Sequence, residues 1–164
     1  MMRRFLLAAG AALVAGCAGN PFGGFDAPVG TSRDAVVARM GPPQQVFRLP
    51  TGERLQYSTQ PWGRQAWMVD LDPTGRVTQV SQALAENNFY RIEPGKWTRE
   101  DVEREFGRPA MVDRVSSWPG PVLTYRWRDR VNTDMFYWVF LDQNNVVQRA
   151  HPGIDVINAP NSKQ

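Results

Sequence analysis

The residues able to do chemistry are few. The sequence holds one histidine, His151, and one cysteine, Cys17. A Ser/His/Asp or Cys/His apparatus would have to use His151, which closes an expected strand beside Pro152-Gly153 and finds no partner near it in the chain. No His/Cys cluster has metal-ligand spacing, and the glycine-rich segments lack the phosphate-cradling pattern ahead of a helix. Asp70, Asp72 and Asp142 fall at hairpin ends, where an aspartate ordinarily serves the backbone of a turn. The expectation is no catalytic residue, no metal and no cofactor: a binding protein rather than an enzyme. The concentrated signal lies elsewhere. Phe136, Trp138 and Phe140 alternate along one strand and share its face with Arg126 and Arg128 of the neighbouring strand. Aromatics beside arginine have the composition of an interface hot spot, so these five are the candidate partner-binding residues. The same row also suits a core face, covered by an earlier sheet, by Trp118 or by Ile154, Val156 and Ile157. Arg126, Arg128 and Arg130 alternate as well, a spacing that suits anionic lipid head groups at roughly 1 kcal/mol per arginine.

The elements that place this row follow from a repeat. Thr98-Arg99-Glu100-Asp101-Val102-Glu103-Arg104-Glu105-Phe106-Gly107-Arg108-Pro109 echoes Ser32-Arg33-Asp34-Ala35-Val36-Val37-Ala38-Arg39-Met40-Gly41-Pro42-Pro43, at an offset of 66 residues and without a gap. Each copy reads as a short helix. Ser32 or Thr98 is the N-cap, and Asp101 makes an approximate capping box with Thr98. Gly41 or Gly107 ends the helix in a left-handed conformation, with Pro43 or Pro109 beyond it. Val36/Met40 and Val102/Phe106 are i,i+4 apolar pairs, and Arg99/Glu103 and Glu100/Arg104 lie on a solvated face.

Strands are expected after each helix, at 44–49, 54–59, 65–72 and 76–82, then at 110–116, 122–128, 135–142 and 146–151. A second short helix over 83–92 links the halves. Leu55/Tyr57 correspond to Leu123/Tyr125, and Trp67/Val69/Leu71 to Tyr137/Val139/Leu141; these positions should face the helices. The opposite face of the first sheet then carries Gln56, Ser58, Ala66, Met68 and Asp70, and should be its wet side. The fold class is α+β: two tandem units of short helices on an antiparallel sheet, at 29–83 and 84–153, with a tail over 154–164.

Composition bounds the rest. At 164 residues the chain is long enough for a real core. Its formal net charge of +3 falls to +1 once Arg3 and Arg4 of the leader are set aside, so nucleic acid is not indicated. One cysteine rules out an intrachain disulfide framework. Residues 1–17 have a basic start, an apolar run too short to span a bilayer, and the ending Val14-Ala15-Gly16-Cys17. This resembles a bacterial lipoprotein signal with its lipobox, which implies cleavage before Cys17 and acylation of that residue. The acyl chains, at ~0.8 kcal/mol per buried CH₂, make a durable anchor. Ala18 after the cysteine implies the outer membrane, and residues 18–28 read as a Gly/Pro-rich tether reaching at most ~35 Å.

The run Phe89-x-x-Ile92-x-x-Gly95-x-x-Thr98-Arg99-x-x-Val102-x-x-x-Phe106-Gly107-x-Pro109 resembles the signature of the SmpA/OmlA (BamE-like) outer-membrane lipoproteins. In that family a pair of short helices packs on a small antiparallel sheet. A typical member has one such unit; two in tandem is similar to the β-lactamase-inhibitor-protein architecture. The likeness covers roughly residues 29–151. It implies a lipid-anchored, non-enzymatic accessory or scaffold in outer-membrane protein assembly and envelope integrity, facing the periplasm. Its partners would be the assembly machinery or other envelope proteins. The alternative is an inhibitor that caps a periplasmic or extracellular enzyme with a curved aromatic sheet.

Overall fold

The computed structural model describes Phe25 and residues 27–155; the leader, Cys17 and the segment from Val156 onward lie outside the described residues. Helix α1 (Arg33–Met40) is capped by Ser32, whose hydroxyl accepts from Ala35 N, and ends at Gly41 with φ +79°. It leads into an antiparallel meander of β1 (Gln45–Leu49), β2 (Gly52–Ser58), β3 (Ala66–Leu71) and β4 (Val77–Gln82). A single turn of helix, α2 (Glu86–Phe89), then precedes α3 (Arg99–Phe106). A full capping box between Thr98 and Asp101 starts α3, and Gly107, at φ +80°, ends it. The second meander is β5 (Met111–Arg114), β6 (Pro121–Arg128), β7 (Asp134–Leu141) and β8 (Val147–Ile154). The fold is thus mixed α+β, with two four-stranded antiparallel sheets and three short helices among the described residues.

The fine contacts of the first helix and sheet recur in the second. Tyr57 donates its hydroxyl to Gly41 O at 3.1 Å, and Tyr125 donates to Gly107 O at 2.8 Å. Each sheet has a bulge between its third and fourth strands, where Thr78 stands extra opposite Asp70/Leu71 and Gln148 opposite Phe140/Leu141. Asp72 Oδ1 accepts from the backbone of Thr74 and Arg76, as Asp142 Oδ1 does from Asn144 and Val146. Both aspartates therefore close hairpins, as their position in the sequence suggests. The hydroxyl of Thr74 and the Arg76 amide hold the Asp72 carboxyl below its ordinary range.

Alternation places the inner faces as expected. Leu55, Tyr57, Val69, Leu71 and Val77 bury with Val36 of α1 and with Phe25. Leu123, Tyr125, Trp127, Tyr137, Val139 and Leu141 bury against Phe89, Val102 and Phe106. The other face of the first sheet overturns an expectation. Gln56, Ala66 and Met68 are buried, and Ala66 and Met68 join the same cluster as Phe106. Helices α2 and α3 therefore lie between the two sheets, and the first sheet has no wet side at its centre. The layers run α1, first sheet, α2 with α3, second sheet.

Phe89 is the hinge of the middle layer. Its ring stacks on Tyr137 at 4.1 Å between centroids and on Phe106 at 5.0 Å, and meets Trp127 edge-on at 5.6 Å. The linking helix is shorter than the 83–92 expected. Gln82 and Asn88 side chains bond the backbone around Leu84 instead, which turns the chain sharply. Strand β8 runs past the expected end at 151, through Pro152 to Ile154. Proline is tolerated there because β8 is an edge strand. Of the tail expected over 154–164, Ile154 is the last residue of β8 and Asp155 is buried, and the rest lies outside the described residues.

Two outcomes follow. Phe89→Ala should lower stability by about 3–5 kcal/mol, because the cavity opens among rings that cannot close it; urea unfolding reads the change. Burial drives the Tyr125 hydroxyl well above its ordinary value and that of Tyr137 to about 12. Both remain protonated in the fold while the unfolded chain ionises near about 10. Their contribution is complete below about pH 10 and declines as pH rises from there through about 12. A Tyr125→Phe/Tyr137→Phe variant should therefore show a shallower alkaline loss in urea midpoint than the parent.

Candidate functional site

The second sheet buries one face on the helices and turns the other outward. Cross-strand register sorts that outer face into rows: Arg126–Phe136–Gly153, Thr124–Trp138–His151 and Val122–Phe140–Arg149. The two ends of the face differ in character.

At the first end, Arg126 binds Asp155 Oδ2 through Nε and Nη2, at 3.1 and 2.7 Å. Its guanidinium also sits 5.8 Å from the Phe136 ring centre. Gln60, from the loop between β2 and β3, brackets the Arg126 backbone, accepting from its N–H and donating to its carbonyl. Arg64 of the same loop meets Asp134 at 2.5 Å. The first sheet thus reaches over and seals this end, and Phe136 is left only 4% exposed. Of the five candidate interface residues, Arg126 and Phe136 are part of the internal seam. Phe136 is not an accessible contact, which corrects its expected role. Arg128 pairs with Asp134 at 2.9 Å, and Arg130 with Glu86 at 3.6 Å and Asn87 at 2.9 Å. All three alternating arginines therefore face carboxylates, Arg126 in the seam and Arg128 and Arg130 at the surface.

The second end is a half-buried aromatic row. Phe140 is met edge-on by Trp118 at 5.3 Å and lies nearly parallel to His151 at 5.4 Å. Trp138 tilts against His151 at 5.5 Å. Trp118 donates its indole N–H to Leu141 O at 2.6 Å, which locks it at the rim. The Arg149 guanidinium lies 4.1 Å from the Phe140 centroid and 5.4 Å from that of Trp118. Arg149 has no ion-pair partner among the described residues. Trp138 packs over Gly153, where an added Cβ would fall 2.2 Å from its ring.

Trp138 and Phe140 were legible as candidates; Arg149, His151 and Trp118 were not assigned to the site. His151 was expected to stand without a partner, but the extended β8 sets it against two rings. The signal was available in the hairpin: with a turn at Asp142, β8 must return Arg149 and His151 across from Phe140 and Trp138. No His/Cys/Asp/Glu grouping that could hold a metal occurs among the described residues. Among the same residues no helix is long and apolar enough to cross a membrane, which does not bear on β-barrels.

Searches against protein-family models and curated proteins find no match. Among solved structures, the chain is similar to a DUF4309 family protein (YjgB) from Bacillus subtilis, with 12% identity and a TM-score of 0.33 over 76% of this chain and 79% of that one. A likeness of that size transfers neither fold nor function.

Gly153→Ala tests the packing of the row. The methyl group should lift the Trp138 indole from the sheet, change the near-UV circular dichroism and cost about 1–3 kcal/mol. An unchanged spectrum and melting temperature would mean that Trp138 does not lie over Gly153.

Proposed function

We propose that the protein is a two-unit lipoprotein, anchored through Cys17 at the periplasmic face of the outer membrane, which serves as a non-enzymatic accessory in outer-membrane protein assembly and envelope integrity. The signature over residues 89–109 and the lipobox support this reading from the sequence. The matched caps, tyrosine bonds, bulges and aspartate turns of the two halves support a tandem duplication of one helix–sheet unit. The observation that carries the binding role is the half-buried row of Trp118, Trp138, Phe140 and His151, with Arg149 stacked on it. Rings already packed against one another lose little freedom on docking, and an arginine stacked on a ring keeps its charge available to a partner.

The test is recovery of barrel-assembly components from detergent-solubilised envelopes. The informative variant is Trp138→Ala/Arg149→Ala. Replacing Arg126 would break its ion pair with the buried Asp155 carboxylate and confuse binding with folding. Wild type should recover those components, and the folded variant should recover them at least about tenfold less. Cys17→Ser should move the protein from the membrane fraction to the soluble fraction. The accessory reading fails if wild type brings down no assembly component, and the docking face fails if the folded variant recovers them equally.

A further inference from the structure

A cleft of about 280 Å³ opens where the first sheet meets the segment that follows α3. Its wall includes Gln45 and Gln56, Pro61, and Arg108 with Pro109. Gln45 and Gln56 stand directly opposite one another on β1 and β2, so their side chains leave the sheet on the same face. Gln56 is 1% exposed. Its Nε2 donates to Glu103 O at 3.1 Å and Arg104 O at 2.8 Å, the last turn of α3. Those two bonds fix the orientation of the amide. Turning it over would aim its oxygen at two carbonyl oxygens, so the Oε1 must point away from the helix. That oxygen is buried and has no hydrogen-bond partner, and the same holds for Gln45 Oε1. Carbonyl oxygens withdrawn from solvent without donors are costly to the fold, so each calls for an N–H.

Charge narrows what would satisfy them. The cleft wall carries one cation, Arg108, and no carboxylate. Arg108 is exposed and has no ion pair among the described residues. The oxygens ask for neutral N–H donors; an ammonium group would enter without a counter-charge. The guanidinium asks for an anion, best a carboxylate in its planar fork. Pro61 and Pro109 supply rigid apolar walls for a small side chain. We infer that this cleft binds an amide-bearing carboxylate of the kind found at the C-terminal end of a peptide, with its N–H groups on Gln45 and Gln56 and its carboxylate on Arg108. The inference does not depend on the envelope role or on the aromatic row.

Titration calorimetry and ¹⁵N chemical-shift mapping of the folded protein test it, with N-acetyl-alanyl-alanine and a decapeptide of the same C-terminal sequence as probes. Their C-terminal amides serve as controls. The expected result is saturable binding of the acids, with shifts at Gln45, Gln56 and Arg108. The amides should bind roughly tenfold more weakly, from loss of the charged contact. Gln45→Leu and Arg108→Ala leave the bonds from Gln56 to α3 intact and should each weaken binding by a similar factor. Equal binding of dipeptide and decapeptide assigns the site to the terminal residues alone, and tighter binding of the decapeptide assigns it to protein tails. Absence of saturable binding by either acid overturns the inference, leaving a water-filled seam. Binding that ignores both substitutions, in variants with wild-type melting curves, overturns it too.

Discussion

The C-terminal end of α3 abuts the first sheet, and the architecture depends on how that contact is made. A helix ends with carbonyls that have no partner within the helix, and burying them dry is unfavourable. Here Gln56 supplies its amide to Glu103 O and Arg104 O, and Arg54 adds a donor to Arg104 O. Arg54 is itself held by Asp70 at 2.6 Å and Glu105 at 3.1 Å, and its guanidinium is raised above its ordinary value chiefly by the Asp70 bond. The polar groups of β2 and β3 are thereby a socket for a helix end that belongs to the following sheet. With the socket filled, Phe106 and Met68 meet in one apolar cluster, and α3 is packed from both sides.

The socket also explains why the two sheets end up unequal. In register terms, the row of Gln56 and Met68 in the first sheet corresponds to that of Thr124 and Trp138 in the second. The first pair accepts a helix: a fixed amide donor beside a flexible thioether. The second pair covers itself. Thr124 donates to Asp113 at 3.0 Å, and Trp138 folds down over Gly153. Among the described residues no further layer covers these strands, and the large rings shield the strand backbone with their own surface. That device leaves ring faces and edges in contact with solvent, as a packed helix would not.

Local rules read well from the sequence because they are short in range. Ser32, Thr98 and Asp101 sit in the caps expected of them, and the inner-face alternation of Leu55, Tyr57, Leu123 and Tyr125 survives intact. Each of these depends on neighbours within a turn or across one hairpin. The wet-side expectation for Gln56, Ala66 and Met68 failed for the opposite reason. Nothing in β2 or β3 announces a covering element that arrives with α3. The pairing of the β6 arginines was hidden on similar grounds. Their charge is visible in the sequence, but the carboxylates that neutralise it come from Asp134 and Asp155, after further turns of the chain. His151 found partners only because β8 continues through Pro152.

Sealing one end of the outer face determines what the other end can be. Around Arg126 the guanidinium is tied to a buried carboxylate, and the loop bearing Gln60 and Arg64 reaches over from the first sheet. Moving those groups for a partner would break a buried ion pair, so that end resists remodelling. Around Arg149 the situation is reversed. Its guanidinium rests on Phe140 and Trp118 with no ion pair to break among the described residues. A stacked guanidinium remains planar, oriented and weakly hydrated, so a carboxylate approaching it meets a preorganised fork at modest desolvation cost. Recognition chemistry on this face therefore concentrates where the sheet covers itself with rings, while the charge-rich strand beside it serves the internal joint.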